Sequence, residues 1–306
     1  MAELGAQLAG VGLRNPLILA SGVLGLTTGT LARVAKSGAG AVTMKSICAK
    51  PRPGHPNPTV LEWECGIINA VGLANAGMDA GALEVAEAVK KVKVPVIASV
   101  FGADAEEFAT VAEKLAAGKP AMIEANLSCP NVMGENGTPF SYEPEPAEKI
   151  VRAIKARVPG IPLIAKLSPN THRLVEVAKA VESAGAGAIN MGNALGPGMA
   201  ISLEARRPIL ANKAGGVSGL AIKPVMVRCV WDVYEAVKIP IIGAGGVSSG
   251  RDALEFIMAG ATCVGVGSAL AWGGPKVFRK FADEMNEWLE ANGIATSAEL
   301  VGVAHG

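Results

Sequence analysis

Residues Ile239–Leu270 read IPIIGAGGVSSGRDALEFIMAGATCVGVGSAL, and their rhythm decides the fold. A short apolar run, Pro240–Gly243, breaks into a glycine turn. A helical pattern follows over Arg251–Ala259, and a second apolar run, Cys263–Gly267, ends on another glycine turn. A strand, a crossover helix and a second strand of the same kind form a βαβ unit, which lays its strands parallel. Working outward, the same unit recurs along the whole chain. The other expected strands are Leu17–Ala20, Ala41–Lys45, Val94–Val100, Ala121–Leu127, Pro162–Leu167 and Ala188–Met191. Helices are expected at Thr28–Lys36, Ala80–Lys91, Ala105–Ala117, Pro146–Ala156, Leu174–Ala184, Pro224–Val237 and Lys276–Ala291, besides Arg251–Ala259. Apolar residues recur at three and four in them, as in EEFATVAEKLAA and LVEVAKAVESA. Several run into Gly or Pro before the next strand, as in ESAGAGAIN and EAVKIPII. Eight such units with no break in composition predict an α/β protein, a single (β/α)8 TIM barrel spanning residues 1–306. A doubly wound sheet is the second solution of the same pattern.

Composition narrows the setting. Lys and Arg total 28 against 27 Asp and Glu, so no excess charge points to nucleic acid or an anionic membrane. Half the chain is hydrophobic but only 4% is aromatic, which suits close packing of helices on a parallel sheet. The start, MAELGAQLAG, lacks the basic and apolar regions of a secretory signal. The uncharged stretch Ser183–Leu203 is long enough to span a membrane, but its five Gly, two Asn and one Pro mark a loop-bearing barrel segment. The expectation is a cytoplasmic protein. Five cysteines, widely spaced and without a CxxC pair, give neither a disulfide framework nor a metal or iron–sulfur ligand set. No metal site is expected.

Three long connections, Ser46–Asp79, Ser128–Glu145 and Gly192–Lys223, each follow the C-terminal end of a strand. A barrel builds its active site from those loops. Polar residues at strand ends then gather on one face: Ser21, Lys45, Asn126, Lys166, Asn193, Gly245–Gly246 and Gly267–Ser268. The last two glycine turns are suited to a phosphate, whose oxygens can approach uncovered backbone N–H groups. Neither is a GxGxxG, so a Rossmann nicotinamide site is unsupported. Lys45 and Lys166 over the same mouth suit an anionic ligand; each alone is equally a solvated rim charge. Asn69, Asn126, Asn131 and Asn193 offer paired donors and acceptors, as a planar ring of alternating C=O and N–H groups requires. Cys129, in ANLSCPNV (125–132), has Asn126 and Asn131 on either side, and Pro130 follows it. His55, His172 and His305 stand in loops or near chain ends and are not placed to activate it as a nucleophile. A thiol can act instead as a general base toward a carbon-bound proton. Glu124 shares a strand face with Asn126 by alternation. It is the carboxylate that a flavin-free barrel lyase or isomerase on a phosphorylated substrate would use.

ANLSCPNV, IAKLSPN, NAVGLANAG, RRPILANKAGGVSGLAIKP and the Ile239–Leu270 stretch together resemble the class 1 dihydroorotate dehydrogenases. The similarity runs from about Leu8 to Leu289 and is strongest to the catalytic subunit of the NAD-linked class 1B enzymes. The resemblance implies an FMN-binding barrel, with the flavin at the C-terminal face of the strands, that oxidises dihydroorotate to orotate in pyrimidine biosynthesis. By matching motif, Cys129 is the base at C5, Lys45 assists it, and hydride leaves C6 for N5 of FMN. Substrate would be held by Lys45, Asn69, Gly72, Leu73, Asn126, Asn131, Asn193 and Ala194. FMN would be held by Ala20, Ser21, Lys45, Ser46, Asn126, Lys166, Gly192, Gly219, Gly245, Gly246, Gly267 and Ser268. The segment Cys129–Tyr142 would cover the substrate. The resemblance further implies a homodimer, and a partner subunit carrying FAD and an iron–sulfur cluster. A membrane-binding extension and a serine base, marks of the quinone-linked class, are not expected.

Two departures stand out. Gly192-Asn193-Ala194 occupies the place of the family's Ile-Asn-Thr or Ile-Asn-Ser, so a hydroxyl facing the substrate is missing. Ala76 replaces a usual Pro, a small change in loop stiffness. Loss of the hydroxyl leaves a related dihydropyrimidine, such as dihydrouracil, as the alternative substrate.

Overall fold

In the computed structural model, which describes residues 3–128 and 139–306, eight parallel strands close into a barrel. They are β1 (Leu17–Leu19), β2 (Ala41–Thr43), β3 (Val96–Val100), β4 (Met122–Asn126), β5 (Leu163–Leu167), β6 (Ala188–Met191), β7 (Ile241–Ala244) and β8 (Cys263–Val266). Each pairs with its neighbour in sequence, and β8 returns to β1 with Val264 opposite Leu17. The barrel, not the doubly wound sheet, is therefore the outcome. The helices are α1 (Thr28–Lys36), α2 (Met78–Lys91), α3 (Ala105–Ala116), α4 (Pro144–Arg157), α5 (Leu174–Ser183), α6 (Lys223–Ala236), α7 (Gly250–Met258), the short α8 (Ala269–Gly273) and α9 (Val277–Ala291).

Local chemistry sets their starts. Thr27, Asp104 and Ser249 cap α1, α3 and α7 by accepting from Thr30 N, Glu107 N and Asp252 N. Pro144 and Pro224 sit in the first turns of α4 and α6, where a missing N–H costs nothing. The apolar helix stripes pack on the outward residues of the strands, around the buried rings of Phe108, Phe256, Phe278 and Phe281.

Inside the barrel, alternation produces a vertical gradient of polarity. The lowest inward residues, Ile18, Ala41, Ile97, Met122, Ile164, Ala188, Ile242 and Cys263, form a separate apolar cluster. Two residues further along their strands, the same inward column continues as Ser99, Glu124, Lys166 and Asn190, and then Asn126. The floor is sealed by an N-terminal hairpin, Ala6–Leu8 and Val11–Leu13, whose Leu8 and Leu13 join the apolar cluster. Its two-residue turn, Ala9-Gly10, has φ of 49° and 84°, the left-handed pair a tight hairpin needs.

Over the opposite end lies a feature the sequence pattern missed. Two of the long connections fold into one antiparallel sheet in the order Leu195–Gly198, Gly215–Ser218, Gly66–Asn69, Val60–Trp63. Segments such as GGVS and LGPG carry no strand propensity; only pairing across some 150 residues makes them strands. The stretch Ser183–Leu203 resolves into the end of α5, strand β6 and this sheet, as its glycines suggested. Among the described residues, no helix is long and apolar enough to cross a membrane. Lys45 lies two residues past the end of β2 rather than closing it, with its N–H donated to Gly25 O.

Candidate active site at the mouth of the barrel

The upper ends of β2, β3, β4 and β6 are joined by one run of hydrogen bonds. Ser99 Oγ donates to Glu124 Oε1 at 3.0 Å, and Asn190 Nδ2 donates to Oε2 at 2.7 Å. Ser46 Oγ lies 2.8 Å from Ser99 Oγ and accepts from Asn126 Nδ2 at 3.2 Å. Ser128 Oγ donates to Asn126 Oδ1 at 2.8 Å and accepts from Asn193 Nδ2 at 2.6 Å. Asn193 Oδ1 takes the N–H of Ala194 at 2.8 Å. Ser21 joins from β1, donating to Met44 O at 2.9 Å with Ser46 Oγ 3.2 Å away. Ser46, Asn126 and Asn193, expected from separate motifs, are thus one connected unit, with Ser21 held beside it by Met44 O.

Glu124, only 1% exposed, has both oxygens engaged inside this unit. Its carboxylate is committed to the framework, which removes the feature a flavin-free lyase would need. Lys166 stands beside Asn126 and Asn190 in register and is 7% exposed. Among the described residues no anion is paired with its ammonium. An enclosed cation without a counter-charge is costly, and a bound anion would relieve it.

A second part of the site is a cavity of about 180 Å³ lined by Cys65, Gly66, Gly219, Gly246, Ser268 and Trp272, among others. It lies where the antiparallel sheet meets the loops after β7 and β8. Gly246, with φ of 84°, could not carry a side chain, since a Cβ would lie 2.6 Å from Lys223 Cβ and 2.9 Å from Gly219 O. Gly245 turns away and packs on Met226. Among the described residues, the N–H groups of Gly246, Val247 and Ser268 donate to no protein acceptor. Such a cradle suits the oxygens of a phosphate. Lys223 is not that phosphate's cation: its ammonium holds Asp252 and Glu255 at 2.7 Å each. Those partners raise the lysine pKa, Asp252 first. Burial opposes the charge on Asp252, but bonds from Lys223 and Ser248 hold its pKa below the ordinary value.

Gly267 tells the cradle from mere turn geometry. A Cβ there would meet only Ala20 Cβ, at an ordinary 3.5 Å, so protein packing does not demand glycine. Gly267→Ala is expected to keep the melting temperature within about 2 °C of wild type. It should weaken phosphate-bearing cofactor roughly tenfold by intruding on the space the ligand needs. Calorimetric titration beside thermal melting reads both.

The remaining expected residues lie around these two parts. Asn69 sits on the antiparallel sheet opposite Gly216, with Nδ2 3.5 Å from Gly216 O. Gly72 and Leu73 follow with φ of 73° and 57°, and His55 packs against Gly72 while its Nδ1 contacts Ala70 O at 3.1 Å. Ala20 closes against Val266 O, and Gly192 packs on Ala244. The methyl of Ala194 faces Gly216, at which a Cβ would approach it to 2.5 Å. His172 is exposed, and His305 stacks on Trp231 at 3.6 Å. Cys129 and Asn131 lie outside the described residues. Just beyond, Phe140 is buried edge-on against Phe108, and Ser141 N donates to Leu127 O at 3.1 Å.

Sequence reasoning missed Ser99, Ser128, Asn170 and Asn190. Asn170 fixes the backbone around position 194, donating to Ala194 O at 3.1 Å and accepting from Gly196 N at 3.0 Å. Ser99 and Asn190 were findable as lone polar residues on the inward face of otherwise apolar strands. Two other thiols are unreactive by burial, which raises Cys229 to about 11 and Cys263 to about 12.

With this geometry in view, the chain's relatives carry weight. Residues 3–289 match the family described as dihydroorotate dehydrogenase. A protein of Methanothermobacter thermautotrophicus is 46% identical over 301 residues, covering 98% of this chain and 97% of its own. One of Methanocaldococcus jannaschii is 44% identical over 306 residues, covering 98% and 97%. One of Trichlorobacter lovleyi is 44% identical over 301 residues, covering 98% of both. All three are named dihydroorotate dehydrogenase B (NAD(+)), catalytic subunit. A match of this length, on a closed eight-stranded barrel, makes this chain a member of the dihydroorotate dehydrogenase family.

Proposed function

We propose that the chain oxidises dihydroorotate to orotate with FMN, as the catalytic subunit of an NAD-linked enzyme. The observation that carries this reading is the single run of bonded hydroxyls and amides from Ser46 to Asn193, set beside a phosphate-sized cradle. FMN fits the residues present: the cradle at Gly246 and Ser268 suits its phosphate, and the enclosed cation of Lys166 suits its ring. When bound, FMN supplies the acceptor for the hydride that leaves C6 of the substrate. Ala20, Ser21, Lys45, Ser46, Asn126, Gly192, Gly219, Gly245 and Gly267 complete its surroundings.

The chain's own residues do the rest. Asn69, Asn126, Asn131 and Asn193 present the donors and acceptors that match the ring's alternating N–H and C=O groups. Gly72 and Leu73 bring backbone close to the same space, and Lys45 offsets negative charge as it develops. Cys129 removes the proton from C5, and the segment 129–142 excludes water during the transfer. Phe140 anchors the far end of that segment. A homodimer, a cytoplasmic location and an electron-transfer subunit carrying FAD and an iron–sulfur cluster complete the proposal. The relatives' printed name, catalytic subunit, supports a partner of some kind.

Ala194 favours a second substrate, dihydrouracil, because the side chain there is a methyl. Anaerobic mixing of FMN-loaded protein with each compound decides between them. Bleaching of flavin absorbance by dihydroorotate is the expected result; bleaching by dihydrouracil alone would overturn the substrate assignment. Ala194→Thr is expected to change the dihydroorotate rate by no more than about tenfold, the worth of one hydrogen bond.

A further inference from the structure

We propose that Glu124 is a positioning residue that, through Ser99 and Ser46, fixes which way the amide of Asn126 faces. The inference rests on the reading of Asn126 and Asn193 as substrate-holding groups.

Counting hydrogens gives the direction. A carboxylate only accepts, and a serine hydroxyl has one hydrogen to donate. Ser99 spends its hydrogen on Glu124 Oε1, so the 2.8 Å contact between Ser99 and Ser46 must be donated by Ser46. With its hydrogen used, Ser46 Oγ is an acceptor toward Asn126, and only the NH2 side of that amide can face it, at 3.2 Å. Asn126 Oδ1 is thereby turned to Ser128, which donates to it at 2.8 Å. Ser128 in turn can only accept from Asn193 Nδ2. At the far end, the backbone N–H of Ala194 faces Asn193 Oδ1, in agreement with the same sense. The run begins on a fixed donor and ends on an acceptor-only group, and every link between points one way. Without the acceptor at its root, Ser46 is free to donate to Asn126, the amide can turn over, and the donor and acceptor offered to a bound ring exchange places. Glu124 lies two residues below Asn126 on β4 and does this work from beneath the mouth.

Asn190 makes the substitutions distinguishable. Its Oδ1 is buried with no partner among the described residues. In Glu124→Gln, the amide oxygen can still accept from Ser99 while its NH2 is received by a turned Asn190. Glu124→Met offers no acceptor.

The test is orotate binding to FMN-loaded protein, read from the perturbation of flavin absorbance, with FMN affinity and melting temperature measured alongside. Glu124→Met and Ser99→Ala are each expected to raise the orotate Kd about tenfold in protein that still loads with FMN. Glu124→Gln should stay within about threefold of wild type. The double variant Glu124→Met/Ser99→Ala should bind no more weakly than the weaker single variant, because both cut one chain. Wild-type affinity in both single variants would overturn the proposal, as would effects that multiply in the double variant. Should Glu124→Met not fold, Ser99→Ala, which removes one oxygen, carries the decision alone. FMN-loaded wild-type protein that shows no response to orotate would instead remove the substrate reading beneath the proposal.

Discussion

Cys129→Ser is expected to keep FMN and lose most of its reduction by dihydroorotate near neutral pH, by on the order of 10²- to 10⁴-fold. The reason is basicity in reach. A thiol with an ordinary pKa of about 8.5 has a usable fraction of thiolate at neutral pH. A serine hydroxyl has essentially none without a partnered base, and His55, His172 and His305 are engaged or exposed elsewhere. Rapid anaerobic mixing near neutral pH measures the difference. Equal rates in the serine variant would take Cys129 out of the chemistry.

Gly66→Ala should have the second-largest effect, on the architecture around the cofactor rather than on the chemical step. A Cβ at Gly66 would stand 1.9 Å from Ser218 O and 3.3 Å from Gly219 Cα, both backbone. No rotamer change relieves a clash with a carbonyl. The added methyl must part the central pair of the antiparallel sheet, where Ile67 faces Ser218 and Asn69 faces Gly216. Gly66 and Gly219 also line the cradle, so parting the pair opens it. A destabilisation of about 2–4 kcal/mol and substantial loss of bound FMN are expected, read by thermal melting and flavin content. Retention of both at wild-type levels would mean that this joint does not shape the cofactor site.

The barrel was legible because it is written locally. Each βαβ unit carries its own apolar period, caps and glycine ends, and the Ile239–Leu270 stretch declares the architecture by itself. The site was legible where glycines and amides stand at strand ends. What escaped was of two kinds. The antiparallel sheet depends on contacts between residues near 66 and residues near 216, and GGVS carries no hint of a strand. Ser99 and Asn190 carried a signal, as lone polar residues in apolar strands, but their common partner is not visible in the sequence. Around the barrel those isolated polar residues fall into one layer, and only closure brings Ser99 and Asn190 to the same carboxylate.

The hairpin under the barrel has a kinetic meaning. With the barrel's lower interior packed solid by its inward side chains and Leu8 and Leu13 beneath them, the site is reached only from the mouth. Whatever enters at the mouth must leave there, and two ring compounds cannot pass each other over the same amides. Departure of oxidised product therefore becomes a precondition for the next arrival. Under the proposed function, orotate is therefore expected to compete with its own precursor, so that its accumulation slows turnover.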